Sequence, residues 1–209
     1  MTRTFIALEK DESLQRYLSK VIQRVAQELP NLNWVDPAGI HLTLAFLGEL
    51  TDEQLAATMQ AAELAARIVP PFDYHLSHPG FFGPPRQPRV IWIGIDEPAG
   101  KLLQLHQAVN SELEQRSFEV DKRPFSPHLT LCRIKTPLKP DEQQRLQRLV
   151  AARDVIASAS TYHVRHLSVM KSELSRAGAR YTALENFPLG QTFGEKTARD
   201  RHFGGEDSV

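Results

Sequence analysis

The sequence predicts an α+β protein with a duplicated, bilobal fold: two mainly antiparallel sheets with outer helices around a central cleft, related by pseudo-two-fold symmetry. Three observations carry this. The tetrapeptide His-Leu-Thr-Leu occurs at residues 41–44 and again at 128–131, 87 residues apart in a chain of 209. Its surroundings recur at the same offset, since Phe5-Ile6-Ala7-Leu8 aligns with Trp92-Ile93-Gly94-Ile95. The order strand, helix, motif strand, helix, strand also runs through the chain twice. A chance tetrapeptide would not bring its neighbours with it.

The elements follow from local pattern. Phe5 to Leu8 reads as a strand. Asp11 is a candidate N-cap for an amphipathic helix over 12–29, with apolar positions at Leu14, Leu18, Ile22, Val25 and Leu29, stopped by Pro30. Trp34-Val35-Asp36-Pro37 is a turn-rich approach to the first motif strand, 40–47, which ends at Gly48. Thr51-Asp52-Glu53-Gln54 opens a helix that runs to about Ile68, before Pro70-Pro71. Residues 72–78 form a strand, 80–88 a Gly- and Pro-rich loop, and 89–95 a strand. Then the order repeats. A helix carries Leu102, Leu105, Val109 and Leu113. Arg123-Pro124-Phe125-Ser126-Pro127 leads into the second motif strand, 128–134. Pro140-Asp141-Glu142-Gln143 starts another helix, and strands follow at about 160–170 and 179–185. Residues 1–189 are read as one bilobal domain with repeat units at about 4–87 and 88–189. Residues 190–209, polar and without an apolar period, are read as a flexible C-terminal tail.

Composition narrows the function. The chain carries 25 basic and 25 acidic residues and 41% apolar residues. A balanced charge argues against a surface that coats long polyanions and leaves room for a local phosphate pocket. One cysteine, Cys132, excludes an intrachain disulfide and a zinc ribbon, and reads as a small core residue. No segment approaches the roughly 18 consecutive apolar residues of a membrane span, and the N-terminus has no long apolar leader. A cytoplasmic monomer with no membrane contact and no obligate protein partner is expected.

Residues i and i+2 of a strand share a face. His41 and Thr43 therefore project together, as do His128 and Thr130, while the leucines point into the core. Histidine gives and takes protons near neutrality. Two of them on opposite sides of a phosphorus centre can divide the work, one taking the proton of the attacking oxygen and the other protonating the leaving oxygen. Threonine hydroxyls can donate to the non-bridging phosphate oxygens. This scheme requires no metal and no cofactor. Arg133 could add a charge-assisted contact, but strict alternation puts it with Leu129 and Leu131, so it needs a bulge or strand end to reach the site. Phe81 and Phe82 with Arg86 and Arg89 suit either a hydrophobic hairpin or a grip on a base and a phosphate. The pairs His75/His78 and His163/His166 are spaced i, i+3, which is poor metal-ligand geometry on a strand. His106 is placed on a helix surface.

Ile40-His41-Leu42-Thr43-Leu44-Ala45-Phe46-Leu47-Gly48 and Pro127-His128-Leu129-Thr130-Leu131-Cys132-Arg133 resemble the paired signatures of the 2H phosphoesterase superfamily. Within it they most resemble the RNA 2′,3′-cyclic phosphodiesterases, also called 2′-5′ RNA ligases. The resemblance spans about residues 3–188 and departs only at Cys132, where a small residue such as alanine is common. It implies a bilobal fold with both motifs in a central cleft. It also implies metal-independent hydrolysis of RNA 2′,3′-cyclic phosphate ends to 2′-phosphomonoesters, with 2′-5′ ligation as the reverse-type reaction. By the same resemblance His41 is the proton donor, His128 the proton acceptor, and Thr43 and Thr130 hold the phosphate; Arg133, Phe46 and Phe82 are candidate substrate contacts. The expected partners are RNA ends or nucleotide cyclic phosphates. The same residues would also suit 2′-5′ oligoadenylates, ADP-ribose 1″,2″-cyclic phosphate, or a non-catalytic module that binds RNA ends.

Overall fold

A computed structural model describes residues 1–152, 160–175 and 178–191. In chain order the elements are β1 (Thr2–Leu8), α1 (Glu12–Glu28), β2 (Leu42–Leu50), α2 (Asp52–Ile68), β3 (Phe72–Phe82), β4 (Val90–Asp96), α3 (Lys101–Glu114), β5 (His128–Arg133), α4 (Pro140–Ala151), β6 (Tyr162–Val164), β7 (His166–Ser175) and β8 (Gly178–Pro188). The strands form two four-stranded antiparallel sheets, ordered β2-β1-β7-β8 and β5-β4-β3-β6.

This order shows how the duplication is used in space. Each sheet pairs the first strand of one half with that half's motif strand, then takes its next strand from across the midpoint of the chain; the second sheet ends on β6 of its own half. β3 pairs with β4, and β7 returns to β1. A sequence repeat is therefore not a spatial lobe. The pairing also corrects the equivalence of the first strands. Ala7 lies opposite Thr43, whereas Trp92 lies opposite Thr130, an offset of 85 rather than 87. The motif strands are thus slid by two residues relative to their inner neighbours, a shift that preserves which face each side chain takes.

Local chemistry explains the helices. The Asp11 carboxylate accepts from the Leu14 N–H at 2.8 Å and starts α1. Thr51 and Gln54 form a reciprocal capping box at α2, with bonds of 3.2 and 2.9 Å. The buried stripe of α2 is made of Ala61, Ala62, Ala65 and Ala66, small enough for close approach to α3, β7 and β8. One large core joins both sheets with α1, α2 and α3, and includes Ile6, Leu8, Leu42, Leu44, Ile93, Leu129 and Leu131. Truncating a fully buried leucine such as Leu129 to alanine costs about 2–5 kcal/mol. Cys132 lies in a smaller cluster with Leu29, Ile91, Leu138 and Leu146.

Several boundaries differ from the sequence reading. β2 begins at Leu42, after His41, and continues past Gly48, whose φ of 75° accompanies a bulge at Leu47 rather than a strand end. β3 extends through Phe82, because pairing with β4 overrides the Gly and Pro signals at 79–80. The single strand expected over 160–170 is two, since β6 pairs with β3 and β7 with β1. The Leu189 and Gly190 N–H groups donate to Arg165 O and Ala66 O at 2.9 Å, so both residues are held against the body. Most of the expected tail, 192–209, lies outside the described residues.

Candidate active site

Both motif strands are edge strands, β2 of one sheet and β5 of the other, and they approach each other. Each carries a bulge at the fourth residue of its tetrapeptide. Ile6 faces Ala45 and Ala7 faces Thr43, which leaves Leu44 extra; Ile91 faces Cys132 and Trp92 faces Thr130, which leaves Leu131 extra. An extra residue reverses the alternation beyond it. In β5 both Leu131 and Cys132 are buried, and Arg133 returns to the face of His128 and Thr130. Arg133 thereby meets the condition that strict alternation set against it. Phe46 occupies the equivalent place in β2 and is 56% exposed.

The two imidazoles are held alike. His41 Nδ1 lies 2.9 Å from Gly39 O, and His128 Nδ1 lies 2.7 Å from Ser126 O. A carbonyl can only accept, so each ring carries its proton on Nδ1 and keeps the Nε2 lone pair for chemistry. The approach segments make this contact. In the first, Asp36 caps a short 3₁₀ turn at Pro37–Gly39, and Lys10 Nζ donates to Ala38 O at 2.7 Å. In the second, Ser126 and Pro127 lead directly into β5.

Their surroundings differ. His41 is stacked on Phe5 with centroids 4.5 Å apart, and the Tyr181 ring meets it edge-on at 4.8 Å. His128 meets the Phe82 ring edge-on at 4.8 Å and the Trp92 ring at 6.2 Å. Burial lowers the His41 pKa to about 4; the Gly39 carbonyl opposes this, while Lys10 and Arg133 add to it. Burial also lowers the pKa of His128, opposed by the Ser126 carbonyl and assisted by Arg133. Both imidazoles are neutral at pH 7 in the free site, and Arg133 acts on both.

A cleft of about 780 Å³ opens beside these strands and is lined by Thr43, Phe46, Phe82, His128, Thr130 and Arg133, six of the seven residues singled out in the sequence. His41 immediately precedes β2 and is clamped between Phe5 and Tyr181. Arg89 lines the cleft, held by its N–H to Phe82 O at 2.8 Å, and Phe81 turns instead to the smaller core cluster.

The far wall was not singled out. His106 and Asn110 of α3, with Glu119, Asp121, Arg123 and Phe125, also line the cleft. The available signal was spacing. His106 and Asn110 are four residues apart and flank the apolar stripe of Leu102, Leu105 and Val109, so they border the core rather than face away from it. His75 and His163 sit on paired strands instead, bonding Ser160 O and Asp73, and His78 packs on Trp92. Among the described residues no three His, Cys, Asp or Glu side chains gather to hold a metal ion. No described helix is long and apolar enough to cross a membrane.

Known proteins share the family and the fold of this chain. The family model of the 2′-5′ RNA ligase superfamily matches residues 10–176. A protein of Methanothermobacter thermautotrophicus named RNA 2′,3′-cyclic phosphodiesterase is 29% identical over 187 residues, covering 90% of this chain and 98% of its own. One of the same name from Thermus thermophilus is 30% identical over 205 residues, covering 94% and 95%. Among solved structures, TT0787 of Thermus thermophilus superposes with a TM-score of 0.73 at 27% identity, covering 90% of this chain and 98% of that one. LigT of E. coli complexed with 3′-AMP superposes with a TM-score of 0.68 at 28% identity, covering 91% and 99%.

Proposed function

Because the chain belongs to the 2′-5′ RNA ligase superfamily, we propose that it is an RNA 2′,3′-cyclic phosphodiesterase that opens the cyclic phosphate to a 2′-phosphomonoester with its own histidines. The observation that carries this is the equal mounting of the two imidazoles, each bonded through Nδ1 to the carbonyl two residues before it. A pair of bases held alike beside two threonine hydroxyls suits an in-line displacement, in which one proton is taken and one given.

In this reading the anionic cyclic phosphate lies between the motif strands. Thr43 and Thr130 donate to its non-bridging oxygens, and the Arg133 guanidinium supplies a charge-assisted contact. His128 Nε2 takes a proton from water as the water oxygen bonds to phosphorus. The bond from phosphorus to O3′ breaks, and protonated His41 gives its proton to that oxygen. The product carries a 2′-phosphate and a 3′-hydroxyl. The bound anion favours the imidazolium of His41 and offsets the burial that keeps this ring neutral in the free site. With a 5′-hydroxyl in place of water the same groups would form a 2′-5′ linkage. The donor and acceptor roles follow the family resemblance, as does the use of RNA ends by a single bilobal domain.

The test is hydrolysis of an oligonucleotide ending in a 2′,3′-cyclic phosphate with excess chelator present, followed by identification of the product end. A 2′-phosphate formed at an undiminished rate is expected. A 3′-phosphate product, or activity abolished by the chelator, would overturn the mechanism.

A further inference from the structure

The two histidines make the same bond, but their carbonyl partners are fastened by different means. In the second copy the neighbouring strand does it. Ile95 of β4 donates its own N–H to Pro127 O at 3.1 Å, which carries the ladder one step beyond His128. By the offset of 85 that relates the inner strands, Ile95 corresponds to Lys10. β1 stops at Leu8, so its ladder does not extend to Lys10. There a side chain takes over, and Lys10 Nζ donates to Ala38 O at 2.7 Å.

This bond falls where it can steer the imidazole. The 38–39 peptide is gripped at both ends, its oxygen by the Lys10 ammonium and its Gly39 N–H by Asp36 O at 2.8 Å. The Asp36 carboxylate also takes the Ala38 N–H at 2.9 Å. The next peptide carries Gly39 O, which accepts from His41 Nδ1 at 2.9 Å; its own N–H, of Ile40, makes a longer bond of 3.3 Å to Pro37 O. Glycine turns freely between two peptides. The aim of Gly39 O therefore depends on how firmly the peptide before it is held. A charged donor makes that grip about twice as strong as a neutral one would be. The root of Lys10 is fixed as well. Glu9 accepts from the buried Ser168 hydroxyl at 3.0 Å, which ties it to β7, and Asp11 caps α1. The ammonium is thus presented from between two anchored residues.

We propose that Lys10 is a positioning residue for the proton donor: through the 38–39 peptide it aims Gly39 O at His41 Nδ1 and so directs Nε2 to the reacting oxygen. This rests on the phosphodiesterase reading for the task of Nε2. It makes the two copies different in kind, one histidine being set by a strand and the other by a side chain.

The test begins with the free protein, its histidine rings isotope-labelled at nitrogen and read by NMR. The titratable groups that face His41 are Lys10, Arg133 and Tyr181. Those around Lys10 are Glu9 and Asp36, with Asp11, His163, Arg165 and His166 lining the hollow behind it. Wild-type His41 should show the Nδ1–H tautomer. Lys10→Met should mix in the Nε2–H tautomer. It should also raise the titration midpoint of His41, since a cation that opposes the imidazolium is gone, while His128 stays as it was. Lys10→Arg, which keeps a cationic donor, should restore the wild-type pattern. In turnover of an RNA 2′,3′-cyclic phosphate Lys10→Met should lower kcat about tenfold with KM unchanged, a part of the about 10²-fold that misplacing a reacting group costs. In a His41→Ala background the same substitution should bring no further loss. His41 signals unmoved by Lys10→Met, an unchanged kcat, a loss confined to KM, or an equal loss in the His41→Ala background would overturn the positioning. Lys10→Gln serves if Lys10→Met does not fold. Failure of the wild-type protein to turn over the cyclic phosphate would remove the phosphodiesterase reading and leave the His41 signals to decide the positioning.

Discussion

The two motif copies mount their histidines alike and surround them differently. In each, a histidine donates through Nδ1 to the carbonyl two residues back, a threonine follows on the same face, and a bulge at the fourth residue turns the sixth toward the cleft. Beyond that the copies diverge. The sixth residue is Phe46 in one and Arg133 in the other, and the residue three before the histidine is Ala38 or Phe125. His41 is clamped by Phe5 and Tyr181, whereas His128 stands in the cleft wall beside Phe82. Duplication supplies two histidines mounted alike, and divergence gives them different surroundings.

The largest expected effect separates the two histidines. His41→Ala and His128→Ala should each lower kcat on an RNA 2′,3′-cyclic phosphate by about 10²-fold or more. A substrate with sulfur in place of O3′ changes the comparison, because a thiolate leaves without first gaining a proton. On it His41→Ala should recover to within about tenfold of wild type, while His128→Ala keeps its full loss. Recovery of His128→Ala instead would exchange the roles. Recovery of neither would remove the division of labour.

The next effect, about tenfold, comes from the sixth position. Arg133→Met removes a charge-assisted contact to phosphate and should lower kcat/KM by about tenfold or more. It should also move the pH profile. The competent form has one imidazole protonated and one neutral, so kcat/KM is bell-shaped. It falls toward acid as both rings become protonated and toward alkali as both become neutral. With His41 lowered to about 4 and His128 also below its ordinary 6.5, the limbs lie near pH 4 and below pH 6.5. Arg133 opposes a second positive charge on either ring, so its removal shifts both limbs to higher pH. Phe46→Leu, at the equivalent place, should leave the limbs where they are. Limbs unmoved by Arg133→Met would show that its charge does not reach the histidines.

How much of this was legible in the sequence follows from the range of each cause. The faces of His41, Thr43, His128 and Thr130 were legible because strand alternation is local and short. The helices were legible because Asp11, Thr51 and Gln54 satisfy backbone groups within one turn. The bulges at Leu44 and Leu131 were not, since each exists only against the register of an inner strand. Nor was the exchange of β3 and β7 between halves. An apolar strand such as Leu167–Met170 fits many partners, and the choice among them is made by the whole core. His106 was placed on a helix surface because its environment is set by Phe125, nineteen residues away in sequence and stacked on it in space.

The smallest expected effect concerns the floor of the site, where the halves differ in bulk. Opposite Thr43 stands Ala7, and its other neighbour is Ser168; opposite Thr130 stands Trp92, and its other neighbour is Gly80. The small pair and the large–absent pair fill similar places differently. A Cβ on Gly80 would lie 2.3 Å from the Trp92 ring, so the indole lies where a side chain would otherwise be. Gly80→Ala should therefore destabilise the protein by about 1–3 kcal/mol, the usual cost of overpacking. The indole N–H is buried with no acceptor among the described residues, so Trp92→Phe gives up no hydrogen bond and makes room. In the Trp92→Phe background Gly80→Ala should cost less than about 1 kcal/mol, and the double-mutant cycle read by denaturant unfolding should show that coupling. Strict additivity would mean that the glycine answers to backbone conformation rather than to the ring. The comparison would then rest on the residues that face the cleft, and not on the floor beneath them.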